Sequence, residues 1–228
     1  MLLIASAQHV NAEPGRCRAA IIKAAAKHAQ NTLQALRECE DKVVAGTLPQ
    51  GTDCTAGAVT SARMSRVSSA FYRAIEGACG GGNHSCAVFD VGDDADDSPA
   101  AIGFPSVCPG FEGQACTNAI DHCDDVALCV ACITAEATAQ GIDLYYGQLV
   151  PTDRGTQPSL KCQRAIGKEA VKFAAAKSKA LARCWASVNR GNATAPCPVP
   201  GDGIAFAAIR KRRQRRPRHQ RHRVRDDL

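Results

Sequence analysis

A helical pattern framed by two cysteines occurs twice in this chain, 145 residues apart. The segment Cys17-Arg-Ala-Ala-Ile-Ile-Lys, running on to Cys39, returns as Cys162-Gln-Arg-Ala-Ile-Gly-Lys, running on to Cys184. Over residues 17–46 and 162–191, twelve of thirty positions are identical without a gap. Alanine-rich helices match by chance. Two cysteines, an isoleucine, a leucine and a glycine in one register do not, so the pattern reads as a duplication. In the first copy Cys17, Ile21, Ala25, His28, Thr32, Leu36, Cys39 and Val43 recur every three or four residues and share one face of a helix. The second copy offers Cys162, Ile166, Ala170, Phe173, Lys177, Leu181, Cys184 and Val188. Phe173 takes the register of His28, which makes His28 a core-edge residue rather than a ligand. Lys23 and Lys27 lie on the other face and read as a solvated stripe. Gly46 and Gly191 fit the position just past a helix end, with Pro49 and Pro196 soon after. A second helix follows in the first copy, from Thr60 to Ala78, closed by Gly80-Gly81-Gly82. The unit is then a helical hairpin, helix 17–45 followed by helix 58–78.

Helix length decides which cysteines can meet. Residues 17 and 39 stand ~33 Å apart on one helix at ~1.5 Å per residue, whereas a disulfide needs Cα atoms ~4.4–6.8 Å apart. Each must staple a different end of the hairpin. That pairs Cys17 with Cys79, and Cys39 with Cys54 in the connection. Cys184 with Cys197 repeats the second bridge, and Cys162 is left without a partner. A closed loop of the size of Cys39–Cys54 is worth about 3 kcal/mol through loss of unfolded-state entropy. The chain needs such clamps: aromatics make up only 4% of it, and alanine supplies much of its apolar share. Little area is buried per residue.

Thirteen cysteines also bear on compartment. Cytosolic thiols stay reduced, so disulfides at this density point to a secreted, periplasmic or cell-surface protein. Leu2-Leu3-Ile4-Ala5 and the small-residue step Val10-Asn11-Ala12 fit the remnant of a signal peptide over residues 1–12. No later stretch approaches the ~20 apolar residues of a membrane span.

The net charge of +6 is unevenly placed. Residues 210–228 carry ten Lys/Arg and two Asp, a net of +8, which leaves −2 for the rest. From Gln214 to Arg223 only Gln, Arg, Pro and His occur, all with codons beginning in C. This is what a GC-rich gene gives in a shifted reading frame. The expectation is that the chain leaves its ancestral frame near Ile209, losing the partner of Cys162. The competing reading is a genuine basic arm for nucleic acid or an anionic surface.

The middle of the chain invites metal readings. Residues 87–107 form a turn-rich acidic linker with five aspartates, but without the spacing, central glycine and final glutamate of a calcium loop. Cys116, Cys123, Cys129 and Cys132 offer four zinc ligands. Disulfides are favoured over zinc, with Cys116–Cys132, Cys123–Cys129 and Cys86–Cys108 as one connectivity, although spacing alone does not fix it. Around these cysteines a helix is expected from Asp124 to Ala139. Leu144-Tyr145-Tyr146 reads as apolar cover. No Gly-x-Ser-x-Gly, His-Glu-x-x-His or phosphate loop occurs, and His9, His28, His84, His122, His219 and His222 lack ligand spacing. No catalytic residue, cofactor or metal is therefore assigned, and the chain does not read as an enzyme.

Several of these motifs resemble known proteins. The pattern Cys-x-x-Ala-Ile-x-Lys-x-x-x-Lys from Cys162, followed by Pro196-Cys-Pro-Val-Pro-Gly-Asp-Gly203, is similar to repeats in a cysteine-rich helical family predicted to be exported by myxobacteria-like and environmental bacteria. So is Cys116-Thr-Asn-Ala-Ile120 with Cys123, Cys129 and Cys132-Ile133. The resemblance covers roughly residues 13–209 and implies an exported protein without assigning any catalytic residue. The expected architecture is all-α: hairpin repeat 13–86, linker 87–107, cysteine-rich helical segment 108–150, incomplete repeat 155–209 and basic tail 210–228. The expected role is a non-catalytic extracellular or cell-envelope module whose partners are other extracellular proteins or envelope components.

Overall fold

The computed structural model describes residues 14–87, 96–112, 116–147, 157–194 and 197. The candidate signal remnant, most of the acidic run and the Arg-rich tail lie outside these residues. The described residues contain four α-helices: α1 (Pro14–Val44), α2 (Ala58–Cys79), α3 (Cys123–Tyr146) and α4 (Gln157–Asn189). Among the described residues no strand forms; Val107 and Ala119 make an isolated antiparallel bridge. The protein is all-α. The chain divides into two compact units, Met1–Ala174 and Ala175–Leu228.

In the first unit α1 packs against α2 and α3, which also touch each other. Pro14 opens α1 at a position where the missing N–H costs nothing. The helix buries Cys17, Ile21, His28, Thr32, Leu36 and Cys39 on the face the three-and-four spacing marks, together with Ala24, Ala35 and Val44. Its end is a turn built on Gly46, which adopts φ +68°. The Gly46 and Thr47 N–H groups donate to Val43 O and Lys42 O at 2.9 and 2.8 Å, the paired bonds that satisfy the last carbonyls of a helix. The end of α4 is built alike. Gly191 has φ +72°, and the Gly191 and Asn192 N–H groups donate to Val188 O and Ser187 O, both at 2.9 Å.

Two apolar clusters hold the first unit. One gathers Ile21, Ala24, Phe71, Ile75, Ile102, Ile120, Val126 and Ala127 around seven half-cystines: Cys17, Cys79, Cys86, Cys108, Cys116, Cys123 and Cys129. Sulfur here fills volume that aromatic side chains would fill in a richer core. The other joins Leu36, Cys39, Val44, Cys54, Ile142 and Tyr146, with Leu160 of α4 packed against it. Beside it the Tyr146 hydroxyl donates to Asp41 Oδ1 at 2.9 Å, and Arg37 pairs with Asp41 Oδ2 at 2.8 Å. Burial, reinforced by the Asp41 carboxylate, pushes the Tyr146 phenol far up. Tyr146 also lies against Gly167 of α4, where any Cβ would run into the phenol. The first copy has Ile22 at that register, so Ile22 and Gly167 mark different surroundings for the two helices.

The structure corrects the reading of the middle segment. Residues 108–112 and 116–120, expected as part of the helical segment, are not helical. The Cys108 N–H donates to Asn118 O and the Ile120 N–H to Ser106 O, both at 2.9 Å. α3 begins at Cys123 and runs to Tyr146, seven residues past the expected end at Ala139. Its start is fixed by Asp125, whose carboxylate accepts the His122 N–H at 3.1 Å. The stretch read as an acidic linker is also partly core: Asp97 is only 2% exposed, and its N–H donates to Cys79 O at 2.9 Å. By length and composition α3 is apolar enough to cross a membrane, contrary to the expectation that no later stretch approaches such a span. Part of that apolarity comes from Cys123, Cys129 and Cys132, all three bonded to the loops that precede the helix.

In the second unit the described residues comprise the end of α4, the turn after it and Cys197. Ala180 and Ser187 are buried, and Cys184 is bonded to Cys197.

Candidate functional site

The structure bonds Cys17 to Cys79 and Cys39 to Cys54, with Cα–Cα distances of 4.7 and 5.7 Å. Cys116 is bonded to Cys132 and Cys184 to Cys197. Cys162 is free and exposed. Two expected pairs are wrong: Cys86 is bonded to Cys123 rather than Cys108, and Cys129 to Cys108 rather than Cys123. The reason is the start of α3. With Cys123 inside the helix, Cys123 and Cys129 stand ~9 Å apart along its axis, beyond disulfide reach. The limit that separates Cys17 from Cys39 applies to them too. All four cysteines considered for zinc carry disulfides and have no thiolate to offer. Among the described residues no group of three or more His, Cys, Asp or Glu is placed to hold a metal ion.

What the bridges leave open is a groove between α1 and α2 of about 320 Å³. Cys17–Cys79 clamps one end of this helix pair and Cys39–Cys54 the other. Four alanines, Ala20 and Ala24 on α1 with Ala70 and Ala74 on α2, keep the helices' facing surfaces shallow. Val67, Phe71 and His28 complete the apolar side, and Lys23, Lys27 and Asn31 the polar one. The two lysines read as a solvated stripe are exposed, yet they stand over this groove. Among the described residues neither is in an ion pair.

His28 is the unusual member. It is 5% exposed, and its ring lies 4.9 Å from that of Phe71, tilted by 48°. Neither Nδ1 nor Nε2 makes a hydrogen bond, nor does the buried Thr32 hydroxyl one turn further on. Sequence reasoning placed His28 at a core edge but did not see the groove, because its far wall is about two turns of α2, from Val67 to Ala74, with no motif of its own. The facing alanines were the only signal.

Burial lowers the His28 pKa below its ordinary 6.5. The folded state resists the proton that the unfolded chain accepts. Stability is therefore complete above pH ~6.5 and falls as pH drops toward the depressed folded value, by at most ~1.4 kcal/mol per pH unit. His28→Phe, the residue at that register in the second copy, is expected to abolish this slope. Urea titrations of both proteins between neutral and mildly acid pH measure it. An unchanged slope in the variant would assign the pH dependence to other groups.

Ile166 and Phe173 of α4, which share register with the buried Ile21 and His28, are 52% and 51% exposed.

No family model, characterised protein or solved structure matches the chain.

Proposed function

We propose that this protein is a non-catalytic extracellular or cell-envelope module, built from a duplicated helical unit and stabilised covalently, whose task is to present surfaces rather than to turn over a substrate. The observation that supports it is the state of the cysteines: twelve of the thirteen are joined in six bridges. Such bridges form and persist in oxidising compartments. They carry the core of an alanine-rich chain that has few large side chains to bury. The sequence offers no nucleophile–base pair or phosphate loop, and its bridged cysteines serve packing. The duplication is supported by the shared register and by the matching turns at Gly46 and Gly191.

Mass spectrometry of the denatured, unreduced protein after alkylation tests the reading. One labelled thiol per chain is expected, on Cys162. Four or more labelled thiols together with stoichiometric zinc would replace the module reading with a metal-binding one. Many free thiols without metal would remove the argument for an oxidising compartment.

A further inference from the structure

We propose that the α1–α2 groove is a binding site for a small monocarboxylate with an apolar body, such as a medium-chain fatty acid. The carboxylate sits between Lys23 and Lys27, and the body lies over Phe71, Val67 and the facing alanines. The site stands on the groove alone and holds whether or not the protein is exported.

Three observations converge on this chemistry. The space, about 320 Å³, is at the lower end of the ~300–1,000 Å³ typical of small-ligand pockets, which limits the ligand to a medium-length chain or a single ring. The charge on its lining is of one sign: Lys23 and Lys27 stand one helical turn apart, and no acidic residue lines the groove. Like charges at that spacing repel, and an anion between them relieves the repulsion. The deepest polar member, His28, is buried with both ring nitrogens unbonded. Native proteins rarely leave such groups unmet without a use for them.

The second copy supplies an internal control. At the registers of Lys23, Ala24, Lys27, His28 and Asn31 it carries Lys168, Glu169, Lys172, Phe173 and Ala176. Glu169 there reaches Lys172 at 2.6 Å. The chain thus fills its own lysine with a carboxylate at the position where the first copy has Ala24. It has also exchanged the imidazole and the amide for apolar groups. The first copy omits the internal carboxylate and keeps the cavity and both polar side chains. A carboxylate from solution takes the place that Glu169 takes in the other helix.

Calorimetric titration of the full-length oxidised protein with decanoate, with decanol as the uncharged control, tests the site. Decanoate is expected to bind once per chain with Kd below about 1 mM, and decanol at least about tenfold more weakly. Lys23→Ser with Lys27→Ser, both on exposed positions, is expected to weaken decanoate at least about tenfold while leaving decanol binding and the helical circular dichroism unchanged. Ala74→Leu is expected to block both ligands by filling the groove. Binding of decanoate should also move the His28 ring resonances. Equal affinity for decanol and decanoate, an unaltered Kd in the lysine variant, or no saturable binding up to about 1 mM would each overturn the proposal. Normal binding by Ala74→Leu would place the ligand elsewhere and overturn it as well.

Discussion

Replacing Cys17 and Cys79 together by alanine is expected to lower the unfolding free energy by about 4 kcal/mol, roughly 8–16 °C in Tm for a chain of this size. The bridge spans a sequence separation of 62, and the entropy it removes from the unfolded chain grows with the logarithm of that loop. Cys39–Cys54, with a separation of 15, is worth about 3 kcal/mol on the same account. The order of the two effects is the check. Both Cys17 and Cys79 are fully buried, so alanine is the better substitute; serine would add a hydroxyl with no partner. Denaturant unfolding of C17A/C79A and C39A/C54A, each against the parent protein, measures both. A larger loss for the short loop would show that packing of the sulfurs, not chain entropy, dominates. Since whole domains are stable by only ~5–15 kcal/mol, either loss is a large share of the total.

Phe71→Ala is expected to cost about 3–5 kcal/mol. Phe71 is 3% exposed and is one of the few large side chains available to the first cluster. Its ring meets His28 on one side and Tyr72 on the other, the latter with centroids 5.5 Å apart. The alanines around it cannot close the space, so a cavity remains. The same change should weaken the acid sensitivity traced to His28. Water entering the cavity would hydrate the imidazole and let its pKa return toward the ordinary value. Urea titration at two pH values reads both effects. Loss of stability with an unaltered pH slope would mean that Phe71 does not keep His28 dry.

The helical fold was legible because the inner face of each repeated helix recurs every third or fourth position, mostly as cysteine, alanine or an aliphatic residue, and because Gly46 and Gly191 close their helices in the left-handed conformation. The end-to-end bonds of the hairpin follow from helix length alone. The middle segment was harder to read. The expected start of α3 fell one residue after Cys123, and that single residue decides whether Cys123 and Cys129 can meet. Pairing by nearness in sequence then joined Cys86 to Cys108, although the loops fold back and both reach α3. Asp97 gave no sign of burial because it stands in an acidic run whose composition suggests solvent. The groove was hidden for another reason. Alanine reads as helix propensity in a sequence, and only the facing of two helices turns a set of alanines into a space. His28 could be placed on the inner face but not beside Phe71, which lies on another helix 43 residues later.

The order of the bonds around α3 has a consequence for how the protein is made. Cys86, Cys108 and Cys116 join Cys123, Cys129 and Cys132 in the same order, so the three loops interlock and none closes inside another. A chain oxidised progressively from its N-terminus meets Cys108 before Cys123 exists, and the first bond open to Cys86 is one the finished molecule does not contain. Maturation of this region thus calls for reshuffling by a thiol–disulfide isomerase or for oxidation delayed until α3 has been synthesised. Yield in a heterologous host should follow the supply of that activity more closely than the strength of the promoter.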